Sequence, residues 1–287
     1  YNFSYYLNNP LDILKIWQGL GYYRRAINML YAAKQIKKDY NSIFPDTYAE
    51  LRKLKGVGQY TASAISSICY NEKKAVVDGN VYRVLTRLYN IQIPINTNTG
   101  KIKIQKIADN LIPNKDPGTY NQAIMDFGSI HCKKHNPKCY TCPLKKECKA
   151  FELNTVKMLP FKKKSRKINY RYFNYLFVTD LTYFLIKQRD TNDIWNKLYE
   201  LPLIESKKII DINTLKKDKH IQELDPVNIK YQYSAHHILS HQKLIIGFWE
   251  IIVRSAKSMN TYKIIKMSEL KLYPFPKPLE KYFDKAH

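Results

Sequence analysis

The segment Leu54-Lys55-Gly56-Val57-Gly58-Gln59-Tyr60-Thr61-Ala62 decides how the first half of this chain is read. Two glycines two positions apart, between two helical patterns, let the backbone turn tightly. They leave N–H groups facing outward at the start of the second helix, a ready site for phosphate. Alone, Gly-Val-Gly is a common turn. Followed by the small-residue face Ala62, Ala64, Ser66 and Ser67, it reads as a helix–hairpin–helix, a motif that grips DNA backbone without reading bases. Gly56, Val57, Gly58 and Gln59 are its candidate contacts.

The flanking sequence is helical. Asn9-Pro10 opens a helix through Ile13, Leu14 and Trp17, and Gly19-Leu20-Gly21 interrupts it. Ala26, Met29, Leu30, Ala33 and Ile36 then recur at helical spacing. A short helix from Tyr48 to Leu54 leads into the hairpin, and another runs from Gln59 to about Tyr70. Further helices are expected from Gly79, from Ile104 to Leu111 and from Tyr120 to His131. The stretch Ala75-Val76-Val77-Asp78-Gly79-Asn80 places one carboxylate at the mouth of the helix whose face is Val81, Val84, Leu85 and Leu88. Asp is a favoured N-cap, so Asp78 reads either as a cap or as an anion with a further task.

Composition narrows the partners. The 287 residues suit about two domains. There are 48 Lys+Arg against 24 Asp+Glu, a net charge of +24. Residues 1–150 hold 23 basic and 10 acidic side chains and residues 151–287 hold 25 and 14, so the excess is spread along the chain. Such a field attracts a polyanion, and nucleic acid is the natural candidate. Abundant Lys, Asn, Ile and Tyr with only 9 Gly also mark an A+T-rich gene, which accounts for part of the charge. No apolar run is long enough for a membrane helix, and no signal-peptide pattern opens the chain.

Of five cysteines, Cys69 sits in an apolar, small-residue segment and reads as buried packing. The other four, Cys132, Cys139, Cys142 and Cys148, are spaced C-x6-C-x2-C-x5-C. Four thiols this close, without disulfide-rich surroundings, argue for a metal centre. The wide outer loops suit a cubane iron–sulfur cluster, with structural zinc as the alternative. Lys133, Lys134 and Lys138 lie in the first loop, where a rigid centre would present them to phosphate. Gly19-Leu20-Gly21-Tyr22-Tyr23-Arg24-Arg25 reads either as a helix break with aromatic packing, or as a loop carrying a stacking aromatic and two guanidiniums to a duplex.

The pattern changes after Cys148. Residues 1–150 form the helical domain and residues 151–170 a basic linker with the run Lys162 to Lys167. Residues 171–287 form a second, mixed α/β domain, with strands expected at Tyr172–Val178, Tyr183–Lys187 and Leu244–Val253.

Together, Leu54–Ala62, VVDGNVYRVL (76–85), NQAIMDFGSIHC (121–132) and the cysteine spacing resemble the helix–hairpin–helix DNA glycosylases with an iron–sulfur cluster. WQGLGYYRRA (17–26) is similar to the MutY family of adenine DNA glycosylases within them, and the likeness runs from Pro10 into a C-terminal Nudix-like region. The resemblance implies removal of adenine mispaired with 8-oxoguanine or guanine by a monofunctional enzyme that leaves an abasic site. It implies one [4Fe-4S] cluster, double-stranded DNA as partner, a monomer, no membrane, and a bacterial cytoplasmic, nucleoid-associated location. By the resemblance Asp78 is the catalytic carboxylate, stabilising an oxocarbenium-like sugar, and Asn80 orients it. Tyr60 stands where lyase relatives carry the Schiff-base lysine. Tyr22 would wedge into the base stack once the target is flipped out, with Arg24 and Arg25 beside it.

Ile194 to Pro202 resembles the family's W-x-x-L-(Y/F)-E-(F/L)-P segment, and no glutamate-rich Nudix box is visible, so no pyrophosphatase activity is expected. Leu239-Ser240-His241 matches the Phe-Ser-His loop that touches 8-oxoguanine, with the aromatic replaced. The family's general acid, a glutamate followed by Leu-Gln-Gln-Thr, has no counterpart in the sequence. The chain opens at Tyr1 rather than Met, and the expectation is a fragment, impaired as it stands, with a non-catalytic damage-binding remnant as the alternative.

Overall fold

The computed structural model describes residues 9–163, 168–190, 193–256 and 262–286. The chain divides into two compact units, residues 31–165 and residues 1–30 with 166–287. Among the described residues no helix is long and apolar enough to cross a membrane.

In the unit of residues 31–165 the elements are helical, as the spacing predicts. α1 (Pro10–Ile16) belongs to the other unit, and the part of α2 (Arg24–Asp39) within this one sends Ala32 and Ile36 into a core with Leu51, Leu54 and Ala62. α3 (Tyr48–Leu51) and α4 (Gln59–Tyr70) flank the hairpin, and Gly56 takes φ +83°, a conformation costly for other residues. α5 (Gly79–Leu88) buries Val81 and Leu85 against Ile104 and Ala108 of α6 (Asn98–Leu111). α7 (Pro117–Asp126) passes into a π turn, Phe127–His131, where the sequence suggests one continuous helix. α8 (Lys149–Glu152) follows the last cysteine. Cys69 corrects its reading: it is exposed, not buried. Ile68, Cys69 and Tyr70 are all exposed, so the side chains that end α4 face outward even though its backbone at Ser67 and Ile68 lies close against Gly118 of α7.

The other unit is built on a seven-stranded sheet ordered β3-β2-β1-β6-β5, with β4 beside β1 and β7 beside β2. The strands are β1 (Asn169–Thr179), β2 (Tyr183–Gln188), β3 (Tyr199–Glu200), β4 (Leu203–Ser206), β5 (Pro226–Ile238), β6 (Gln242–Val253) and β7 (Lys263–Lys266). β1 and β6 run parallel, with Phe173 opposite Ile246, and the other pairs are antiparallel. Both faces of β1 are covered, which explains an apolar run from Tyr172 to Val178 broken only at Asn174, a buried amide with hydrogen-bond partners. Phe173, Tyr175 and Phe177 meet Tyr282 and Phe283 of the terminal helix α11 (Lys277–Ala286). On the opposite face Leu176 and Val178 meet Leu215 of α9 (Ile212–Lys216) and Ile221 of α10 (Lys219–Gln222).

Residues 10–30 pack with this unit, whereas the sequence assigns them to a domain of residues 1–150. The cause is a small apolar cluster in which Leu14, Tyr23 and Ala26 close around Leu198 and Trp195. Of the basic run along the linker, Lys164 to Lys167 lie outside the described residues.

Glu200 is a buried carboxylate paired with the guanidinium of Arg189, and it accepts a hydrogen bond from the Tyr175 hydroxyl at 3.1 Å. Burial pushes the Glu200 carboxyl up, against the pull of Arg189. Replacing Glu200 with Ala leaves Arg189, among the described residues, with Asp193 as its remaining counter-charge. The expected loss is on the order of 3 kcal/mol, read as a lower denaturation midpoint.

Candidate functional site

The approach to Asp78 is fixed before the helix begins. Ala75 and Val76 are buried, and the Val76 N–H donates to Asn121 Oδ1 at 3.0 Å. Asn121 on α7 is buried too, and its Nδ2 donates to Lys74 O and Ser67 Oγ, both at 2.9 Å. One amide thus ties the extended segment to α4 and α7. Asp78 is then the N-cap of α5: its Oδ1 accepts the N–H groups of Asn80 and Val81, each at 2.8 Å. Its Oδ2 accepts Asn80 Nδ2 at 2.9 Å. Both oxygens are therefore aimed by neutral donors.

The contacts continue along α5. Asn80 Oδ1 accepts from Arg83 Nη2 at 2.8 Å, the same Nη2 donates to Gly128 O, and Arg83 Nε donates to Cys132 O at 2.7 Å. Gly128 in the π turn approaches closely: a Cβ there would lie 2.7 Å from Asn80 Cβ. Asp78, Asn80 and Arg83 line a groove of about 1100 Å³ within residues 31–165, whose walls also carry Lys134, His135, Lys157 and Lys162. Asp78 is the acidic residue of a lining otherwise rich in cations.

The four sequence-matched cysteines, all half-buried, line one small cavity together with Arg87, His131 and Phe151. Burial pushes the thiols of Cys139 and Cys142 up. Arg87, in the last turn of α5, is buried, and its hydrogen bonds among the described residues go to main-chain carbonyls and one sulfur. Its guanidinium donates to the carbonyls of Val156 and Leu159 and to those of Lys133 and Lys134. A further N–H meets Cys132 Sγ at 3.4 Å. Among the described residues no three His, Cys, Asp or Glu side chains converge to hold a single metal ion. Four thiols on one cavity beside a buried cation form a donor set that a metal centre carrying negative charge would fit.

The other sequence-selected residues are distributed as follows. Gly56, Gly58, Gln59 and Tyr60 are exposed at the hairpin, and Val57 turns inward to the core. Lys133, Lys134 and Lys138 are exposed in the cysteine loop. Tyr22, Arg24 and Arg25 belong to the other compact unit, so Asp78 is not grouped with them. Tyr22 takes φ +49° and is 75% exposed, with the Arg25 guanidinium 5.6 Å over its ring. Ser240 and His241 are exposed at the β5–β6 hairpin tip, whereas Leu239 packs toward the core. Arg83, Arg87, Asn121 and Gly128 escape sequence reasoning as site residues. The available signal is the pair of arginines four apart on α5, in line with Asn80 and Gly79 and beside the apolar stripe.

Residues 174–285 match the family described as NUDIX domain, and residues 39–68 match the helix-hairpin-helix motif. The chain is 36% identical over 262 residues to the adenine DNA glycosylase of Buchnera aphidicola subsp. Baizongia pistaciae, covering 90% of this chain and 72% of the relative. It is 34% identical over 278 residues to that of subsp. Schizaphis graminum, covering 94% and 78%. A solved structure of a non-covalent Endonuclease III–DNA complex aligns at a TM-score of 0.47 with 28% identity, over 54% of this chain and 72% of that one.

The contact at Gly128 yields a direct check. Gly128→Ala forces Asn80 or the π turn to move, since the added carbon also meets Asn80 O at 3.0 Å. The expected cost is about 1–3 kcal/mol, seen as a lower thermal midpoint, while Ser129→Ala on the exposed side leaves it unchanged.

Proposed function

The chain belongs to the adenine DNA glycosylase family, and from that premise we propose that it excises adenine opposite 8-oxoguanine or guanine in duplex DNA. It is a base-excision repair glycosylase, an enzyme that hydrolyses N-glycosyl bonds. The finer reading assigns Asp78 as the anion beneath the anomeric carbon. Adenine leaves as the sugar becomes oxocarbenium-like, and a fixed carboxylate stabilises that charge or takes it up as a short-lived adduct.

The observation that carries the reading is Asp78 itself: a carboxylate held by three neutral N–H donors at the edge of a cation-lined groove. Asn80 is the orienting residue. Tyr60, a phenol at the hairpin, cannot form a Schiff base, which favours hydrolysis and an intact abasic strand.

DNA contacts are assigned to the Gly56–Gln59 hairpin, to Tyr22, Arg24 and Arg25, and to Lys133, Lys134 and Lys138. Each set is exposed apart from Val57, and main-chain N–H groups with Lys and Arg suit phosphate. Ser240 and His241 at their exposed tip suit hydrogen bonding to the oxidised guanine. Leu239, packed inward, brings no aromatic there. Cys132, Cys139, Cys142 and Cys148 would hold one [4Fe-4S] cluster, which supplies a rigid clamp for the loop that displays the three lysines.

The test is release of free adenine from a duplex holding adenine opposite 8-oxoguanine, with the strand broken only after alkali. Asp78→Asn is expected to slow release at least about 1000-fold while DNA affinity is retained. Unchanged release by that variant removes Asp78 from the chemistry. Salt-sensitive binding with no release by the parent points instead to a damage-binding role, and a borohydride-trapped adduct to a lyase.

A further inference from the structure

His131 has no task in the function proposed above. It ends the π turn, one residue before Cys132. Its ring is stacked on Phe127, with centroids 5.3 Å apart and planes 10° apart. Its carbonyl accepts the N–H groups of Lys133 and Lys138, at 2.9 and 3.2 Å. The residue is therefore fixed from both sides, and it forms part of the wall of the four-cysteine cavity.

Its Nε2 is buried and has no hydrogen-bond partner. Buried polar atoms are nearly always paired, so an orphan calls for a partner, and beside thiolate or sulfide sulfurs that partner is an acceptor for an Nε2–H. The cavity surface is almost wholly apolar apart from its sulfurs. On another side of the same centre a nitrogen already meets sulfur, Arg87 Nη1 at 3.4 Å from Cys132 Sγ.

We propose that His131 donates its Nε2–H to a sulfur of the cluster held by the four cysteines, as a positioning and tuning residue rather than a ligand. The inference rests on the iron–sulfur part of the proposed function. Hydrogen bonds to cluster sulfurs draw off electron density and stabilise the more reduced state, which raises the reduction potential. Groups that support metal ligands in this way also slow loss of the metal.

His131→Phe keeps a ring stacked on Phe127 and removes the donor. In the purified full chain it is expected to lower the cluster's midpoint potential and raise the Fe–S(Cys) stretching frequencies in resonance Raman spectra. Its half-life against an iron chelator should fall about tenfold. His131→Gln, which restores an N–H donor, should return all three toward the parent. If the Phe variant does not fold, His131→Gln against His131→Leu makes the same comparison. A brown parent whose potential and Raman bands are unmoved in the donor-free variant overturns this inference alone. A colourless parent lacking visible absorbance after anaerobic reconstitution with iron and sulfide overturns the cluster reading beneath it.

Discussion

A buried guanidinium met by carbonyls and a sulfur sets the terms for the helical unit. Arg87 is 3% exposed, and its donors are met by four carbonyls and one sulfur. Leaving such a charge uncompensated is costly, so the chain around it must be held in place. Those carbonyls come from two separate stretches, 133–134 and 156–159, and the arginine stitches both to the end of α5. The thiol of Cys148 also lies 3.6 Å from the Arg87 carbonyl. The cysteine loop is thereby docked on a helix whose other end, about 15 Å away for ten residues, is Asp78. Carboxylate and cysteine centre are the two ends of one rigid rod.

Much of this was readable from the residues. The hairpin needed only its two glycines and the flanking helical spacing. Asp78 announced itself as a cap, and four cysteines within a short span can serve few ends. The second domain was legible as α/β because both faces of β1 and β6 are largely buried, which writes long apolar runs, each broken by a single polar residue, into the sequence. β5 was not legible: Pro226–Ile238 exposes most of one side, mixes Lys, Gln, Ser and His among its tyrosines, and is interrupted by register shifts. An edge strand carries few apolar signals of its own. The place of residues 10–30 was hidden for a different reason. Periodicity reveals that Leu14 and Ala26 face a core, but not that the core belongs to Leu198.

The site residues that escaped the sequence share a property. Asn121, Arg83 and Arg87 act through contacts made 45 or more positions away, to Val76, Gly128 and Cys132. Short motifs encode caps and turns, which are local. They do not encode which buried polar side chain meets which distant carbonyl. Gly128 is the clearest instance. In sequence it interrupts a helical pattern, and only the closeness of Asn80 explains why a side chain is excluded there.

The same network bears on how a carboxylate can be both held and left charged. Had Arg83 paired directly with Asp78, the ion pair would have cancelled much of the field that an oxocarbenium-like sugar needs. Instead Asn80 stands between them, giving its amide N–H to Asp78 and taking the guanidinium on its carbonyl oxygen. Neutral donors orient an anion without neutralising it, and two of the three are backbone N–H groups whose position the helix sets. Arg83 acts on the orienting amide rather than on the charge. The relay permits only one amide orientation, because an Asn80 turned end for end would face the guanidinium with N–H and Asp78 with oxygen. Asn80 is thereby held as the spacer that keeps the anion of the proposed active site rigid and unpaired.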